Sequence, residues 1–258
     1  MSIATVALQE VPKEYKKFNL KSTVSDALKI SGKTEITKGR KTTSTVLERE
    51  VALGISKTLL SSLSPEMMEI CESYHCTKLT TQFKGLAKYS DGLVGTRSIQ
   101  LSKYGKKLVG FEFNTDAPYK KTFKAKYHIK QGSRKDQVII HFPAFVPDRA
   151  FKRSKEATNF KISARLVALS DFRYNQVEEK YEPLNADLHG KFSSQDSAML
   201  PILKMPLDPM TSQLCLNQGF FPSNTSLFLI TSVSFFVYDH GRFVHLGKEG
   251  SMQIKQVF

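Results

Sequence analysis

The spacing of the apolar residues changes near Asp91-Gly92, and this change limits the folds that the chain can adopt. Before it, residues 45–86 place apolar side chains three or four positions apart, which is typical of amphipathic helices. After it, several segments carry an apolar residue at every second position, which is typical of strands with one buried face. No helical pattern is interleaved between these segments. The chain is therefore predicted to form helices followed by an antiparallel β domain.

The helical part contains two predicted helices. The first covers residues 45–63 and the second covers residues 65–86. The second helix begins with Ser64-Pro65-Glu66, in which Ser64 is the predicted N-cap, Pro65 suits the first helical position and Glu66 is an acid in the first turn. Because almost no residues separate these two helices, they are predicted to form a helical hairpin.

A β-hairpin is predicted in the middle of the chain. Residues 123–130 and 138–142 alternate on either side of the loop 131–136. Pairing Lys130 with Gln137 places both apolar sets on one face and the lysines on the other. Further strands are predicted over 109–113, 160–168, 172–181, 199–216, 227–237, 243–246 and 252–258, with a Ser-rich loop at 193–197.

The predicted fold class is α+β, mainly β, with an N-terminal arm and helical hairpin followed by an antiparallel β-sandwich of jelly-roll-like or immunoglobulin-like form. Residues 1–42 are polar, Lys-rich and poor in apolar residues, and are predicted to be a basic extended arm. The predicted domains are this arm, the hairpin over 43–92 and the sandwich over 93–258.

Positive charge is concentrated in one part of the chain. Residues 97–165 contain 17 Lys and Arg against five Asp and Glu, a net +12 out of +14 for the whole chain. Such a stretch attracts nucleic acid or another acidic partner, although a solvated surface that keeps a β protein soluble has the same composition. The predicted polyanion-binding residues are Lys120, Lys121, Lys124, Lys126, Lys130, Arg134 and Lys135, with Arg149, Lys152, Arg153 and Lys155 as possible extensions.

The sequence contains no motif that indicates a reaction. It has no nucleophile elbow, no Gly-rich phosphate loop, no His-Glu-x-x-His helix and no dinucleotide fingerprint. Cys71, His75 and Cys76 lack a fourth zinc ligand, and His128 and His141 lack a carboxylate partner. We therefore predict no catalytic residue, no metal site and no cofactor.

The cellular setting is predicted from absences in the sequence. Three cysteines do not suggest a disulfide framework, and neither an export signal nor an apolar run of membrane-spanning length is present. We predict a cytoplasmic protein without a membrane association.

Four segments together resemble a family of uncharacterised proteins of Bacteroidota, about 250 residues long. They are 110–114 (GFEFN), 140–147 (IHFPAFVP), 157–162 (ATNFKI) and 232–236 (SVSFF). The resemblance extends over residues 40–258. It implies a shared fold and a bacterial origin, and it transfers no functional site.

Two functions fit these features. The first is a non-enzymatic structural protein, a homo-oligomer that uses its arm to assemble into a shell, tube or filament. The alternative is a module that binds nucleic acid or another polyanion through the basic face of residues 97–165.

Overall fold

The computed structural model describes residues 44–258, so the predicted arm over residues 1–42 lies outside the described residues. The described part is mainly antiparallel β-sheet with six helices, which confirms the predicted α+β, mainly β class. The helices are α1 Ser44–Leu60, α2 Pro65–Ile70, α3 His75–Leu86, α4 Leu101–Tyr104, α5 Tyr119–Thr122 and α6 Pro147–Ala150. The strands are β1 His128–Gln131, β2 Gln137–Phe142, β3 Asn159–Ser170, β4 Phe172–Asn175, β5 Lys180–Pro183, β6 Phe192–Asp196, β7 Leu200–Pro201, β8 Met210–Cys215, β9 Thr225–Asp239, β10 Arg242–His245 and β11 Ser251–Val257.

The largest sheet is built around the long strands β3 and β9, which pair antiparallel. On its other edge β9 pairs with β10 and β11, while β3 pairs with β6 and β7. A smaller antiparallel sheet has the order β1-β2-β8, and β4 and β5 form a separate pair. All the described strand pairs are therefore antiparallel, as predicted from the absence of a helical sequence pattern between the strand segments.

Each face of the large sheet is covered by a hydrophobic core. On one face Phe228 and Ile230 share a core with residues of α1, α2 and α3. On the other face Leu229 and Phe235 share a core with Ile140 of the smaller sheet. Because both faces are covered, β3 and β9 are buried along most of their length, including the alternating polar positions.

The second predicted helix is divided between Cys71 and Tyr74. Its start is confirmed, because the Ser64 hydroxyl accepts a hydrogen bond from the Met67 N–H at 3.3 Å. After α2, however, the Glu72 N–H donates to the Phe113 carbonyl at 3.0 Å. This long-range bond directs the backbone out of the helix, and α3 begins at His75.

The basic stretch, residues 97–165, contains less strand than predicted, because residues 109–113 and 123–127 do not form regular strands. It contains α4, α5 and α6, and residues 109–113 form only an irregular segment beside β11. Gly110 interrupts the extended backbone with a φ of +92°, a conformation that glycine adopts easily. The segment still pairs with β11, since the Phe113 N–H donates to the Met252 carbonyl at 3.0 Å.

The predicted β1–β2 hairpin forms, but its register differs by two residues. Ile129 lies opposite Ile140, not Val138, and Lys130 lies opposite Ile139, not Gln137. The Gln137 carbonyl instead accepts the Gly132 N–H at 2.8 Å and closes the loop. Because side chains alternate with a period of two, a shift of two residues keeps each side chain on its predicted face.

The predicted Ser-rich loop at 193–197 is also wrong, because these residues belong largely to strand β6. β6 is an edge strand whose residues are mostly exposed, and it pairs with β3 from Ser163 to Val167. Its polar composition gives no strand signal by itself. Pairing with a buried neighbour supplies the backbone hydrogen bonds that make it a strand.

Candidate anion-binding groove

An open groove lies where α5 and the following residues approach the C-terminal strand. Its volume is about 570 Å³, within the range of ordinary ligand sites. Lys120, Lys124 and Lys126 line it together with Lys255 of β11. We call this cavity the basic groove.

The chain between Thr122 and His128 is fixed by packing and by backbone pairing. The Lys124 N–H donates to the Ala150 carbonyl at 2.8 Å, and the Lys152 N–H donates to the Thr122 carbonyl at 2.9 Å. Alternate side chains then turn inward, and the Phe123 ring stacks on Phe151 at a centroid distance of 5.1 Å. The intervening lysines consequently remain exposed.

Lys255 lies at a β-bulge beside the groove. The pairing of β11 with β9 shifts between Ile254 and Gln256, which leaves Lys255 as the extra residue. Ile254 belongs to the core on the helical side of the sheet, whereas Lys255 lines the groove. The Lys255 Nζ lies 4.4 Å from the centroid of the Tyr119 ring and 5.5 Å from that of Tyr127. The ammonium group therefore rests on two aromatic rings, in the range of cation–π interactions.

Polar contacts orient the Lys255 side chain. Its Nζ donates to the Gln253 Oε1 at 2.7 Å, and the Gln253 Nε2 donates to Glu112. The second carboxylate oxygen of Glu112 accepts the Tyr119 N–H at 3.1 Å. Glu112 thus holds the Gln253 amide with its oxygen toward the lysine. In residues 44–258 no carboxylate forms an ion pair with Lys255.

Burial changes the acid–base properties of this cluster. It lowers the pKa of Lys255 to about 8, with a further decrease from Lys120 that Glu112 opposes. Burial also raises the pKa of Glu112, although the Tyr119 N–H and Lys255 act in the opposite direction. The phenol groups of Tyr119 and Tyr127 have raised pKa values for the same reason, burial. Burial therefore shifts the pKa values of both Lys255 and Glu112 toward neutral pH.

The structure brings together only part of the predicted polyanion-binding set. Lys120, Lys124 and Lys126 line the basic groove, whereas Lys121 lines a separate cavity with Lys152 and Arg153. Two further members lie elsewhere: Lys130 is exposed on β1, and Lys135 is in the loop after it. The predicted residues therefore do not form one continuous track.

Arg134 is held by interactions within the protein. Its guanidinium group makes two hydrogen bonds of 2.9 Å to the buried Asp136 carboxylate and donates to the Gln218 carbonyl at 2.7 Å. Arg134 lowers the pKa of Asp136, as does the Gln218 N–H, and together they outweigh the effect of burial. Its main role in this arrangement is to fix the loop between β1 and β2.

Sequence reasoning did not find Lys255, Gln253 or Glu112. They lie far from α5 in the chain, and no local pattern connects them. The one available signal is that Lys255 is the only charged residue in an otherwise uncharged strand, Ser251–Val257.

Among the described residues, 44–258, no three His, Cys, Asp or Glu side chains cluster as metal ligands. Cys71 is buried, and burial raises the pKa of its thiol to about 12. His128 and His141 lie directly opposite each other in the β1–β2 pair, and His141 contacts the Thr211 hydroxyl.

Comparison with protein families, with curated proteins and with solved structures finds no match to this chain. The resemblance to Bacteroidota proteins therefore stays a prediction. Across residues 44–258, no helix has both the length and the apolar character needed to cross a membrane.

Proposed function

We propose that the protein is a non-enzymatic module that binds the phosphate backbone of nucleic acid in the basic groove. The observation that carries the proposal is the meeting of four lysines, from two distant parts of the chain, around one open cavity. Within residues 44–258, none of the four is paired with a carboxylate. Their charge is therefore available to a ligand. A cytoplasmic location, where nucleic acid is accessible, belongs to this proposal.

Electrostatics gives the proposal a quantitative form. Each phosphate that a lysine neutralises releases condensed counterions, so the affinity falls as salt increases. Four such contacts to a single strand give a slope of about −3 in a plot of log K against log salt, which is about a 50-fold loss between roughly 50 and 200 mM salt.

The test is fluorescence anisotropy of a labelled single-stranded oligonucleotide over this salt range. The triple variant Lys120→Gln, Lys124→Gln and Lys126→Gln is expected to flatten the slope to about −1, because Lys255 alone remains. A matched control replaces Lys103, Lys106 and Lys107 by Gln, which removes equal charge from α4 and the turn after it. Equal losses in both triple variants would show that binding follows net charge and not the groove. Absence of wild-type binding at low salt would contradict the proposal outright.

A second candidate function, self-assembly, is favoured by an apolar patch at one end of the large sheet. Tyr238, Phe243 and Val244 are exposed there, 56%, 47% and 39% respectively, and β10 forms an edge of the sheet. Exposed apolar residues on a strand edge are suited to contact with another copy of the chain. The net charge of +14 opposes such contact unless an anion neutralises it.

Light scattering coupled to size-exclusion chromatography tests this second function. Oligomers are expected at tens of micromolar protein, on the order of the concentrations at which weak interfaces form. Phe243→Ser is expected to reduce the oligomer fraction. A single monomeric species over the whole concentration range would exclude the proposed assembly.

A further inference from the structure

We propose that Lys255 holds one phosphate group of the bound strand in the basic groove, and that loss of its proton releases this phosphate. This inference rests on the function proposed above. It adds that one side chain, located at the bulge in β11, makes the groove sensitive to pH.

The first argument is the arrangement of donors around Lys255 Nζ. An ammonium group has three N–H donors, and in the described residues only one of them has a hydrogen-bond acceptor, the Gln253 Oε1 at 2.7 Å. The rings of Tyr119 and Tyr127 lie beside the group, and neither ring offers a carboxylate or carbonyl acceptor. The remaining donors are therefore free for an oxygen of a ligand in the groove that Lys255 lines.

The second argument is the charge around the group on each neighbouring element. The segment beside β11 contributes Glu112, α5 contributes Lys120 and the phenol of Tyr119, and the residues after α5 contribute the phenol of Tyr127. Glu112 accepts hydrogen bonds from the Tyr119 N–H and the Gln253 amide, and its charge favours the protonated form of Lys255. A partly buried cation that has no ion-pair partner is costly to the protein, and a bound phosphate would lower that cost.

The third argument is the direction of the proton linkage. Burial lowers the pKa of Lys255 to about 8, so the free groove loses this charge as the pH rises through that value. A bound phosphate favours the protonated form and raises the same pKa, so binding takes up a proton at alkaline pH. The affinity then decreases with increasing pH, with a limiting slope of about tenfold per pH unit.

The experiment measures binding of a 5′-labelled single-stranded oligonucleotide, by anisotropy at constant ionic strength, from about pH 7 to about pH 9.5, above the ordinary range of histidine. Three full-length proteins are compared: wild type, Lys255→Arg and Lys255→Met. Arginine keeps the positive charge and does not titrate in this range. Comparison with wild type therefore cancels the contributions of all other titrating groups.

The wild type is expected to lose about tenfold in affinity over this range, whereas Lys255→Arg stays nearly constant. Lys255→Met is expected to bind about tenfold more weakly than wild type near pH 7 and to show little pH dependence. Calorimetry near pH 8.5, in two buffers of different ionisation enthalpy, should detect proton uptake by the wild type and none by Lys255→Arg. Circular dichroism at each pH confirms that all three proteins are folded.

The outcomes separate this inference from the proposed function. Wild-type binding that depends on Lys120, Lys124 and Lys126, but has the same pH profile as Lys255→Arg, would overturn the inference and leave the proposed function intact. No binding by the wild type at any pH would overturn both. A pH profile that persists in Lys255→Arg would assign the titration to another group and equally overturn the inference.

Discussion

Arg165 and Lys255 are both cations within the large sheet, but the structure treats them differently. Arg165, on β3, is 4% exposed, and its guanidinium group pairs with the Asp196 carboxylate of β6 at 2.7 Å. Lys255, on β11, has an amide oxygen and two aromatic rings in place of a carboxylate. The Arg165 charge is satisfied within the fold and fixes the β3–β6 edge. The Lys255 charge is satisfied only in part, which makes it available to a ligand.

The largest expected effect on stability comes from breaking the ion pair between Arg165 and Asp196. Asp196→Ala leaves the Arg165 guanidinium buried without its anionic partner, and we expect a loss of about 2 to 3 kcal/mol in the free energy of unfolding. Urea denaturation near neutral pH measures it. The double variant Arg165→Met with Asp196→Ala removes the charge as well and is expected to recover most of the loss. Nucleic-acid binding should be unchanged, since neither residue lines the basic groove.

We also expect the stability contributed by the Arg165–Asp196 ion pair to depend on pH in the acid range. Arg165 and Ser163 lower the pKa of Asp196 below its ordinary value of 3.8, although burial alone would raise it. The stability that the pair contributes is therefore present above about pH 4 and is lost as the pH falls through the lowered pKa. The difference between wild type and Asp196→Ala should shrink on acidification. A constant difference down to about pH 2 would show that the lost stability does not come from the carboxylate charge.

The opposite sign is expected at Lys255. Lys255→Met removes a cation that has no carboxylate partner, and we expect it to stabilise the protein by about 1 to 2 kcal/mol near pH 7. When a substitution raises stability but weakens binding, the original residue typically serves function and not the fold. A destabilised Lys255→Met protein would show that the lysine serves the fold, as Arg165 does.

This gain should disappear at alkaline pH. The folded protein has a lowered pKa for Lys255, about 8, against an ordinary value of 10.5, so between these values the unfolded chain binds more protons. Wild-type stability relative to Lys255→Met therefore rises as the pH increases from about 8 to 10.5. Thermal or urea unfolding of both proteins across this range tests the sign.

The smallest effect is expected at Arg134, which resembles Arg165 more than Lys255. Arg134→Gln removes one partner of the buried Asp136, but the Gln218 N–H still donates to that carboxylate at 2.7 Å. We expect a loss of about 1 kcal/mol in stability. Oligonucleotide affinity should change by less than about threefold, because this arginine is already paired. A larger loss of affinity would indicate that Arg134 contacts the oligonucleotide.

The sequence predicted single positions of the site better than the arrangement of the whole site. Alternation between residues 123 and 130 correctly placed Lys124, Lys126 and Lys130 on an exposed side, because that pattern depends only on neighbouring residues. It could not show that Lys126 faces the groove while Arg134 is bound to Asp136. The helical break after α2 was hidden for the same reason, since it depends on the distant Phe113 carbonyl.

The spacing of apolar residues determined, without further information, that the long helices α1 and α3 precede the antiparallel strands and that most lysines of residues 97–165 are exposed. Tertiary structure alone decided the register of β1 with β2, the pairing of the polar segment β6 as a strand, and the position of Lys255 beside α5. The physical reason is that side-chain alternation is a local property of the backbone. Strand partners and bulges depend on contacts between segments that are far apart in the chain.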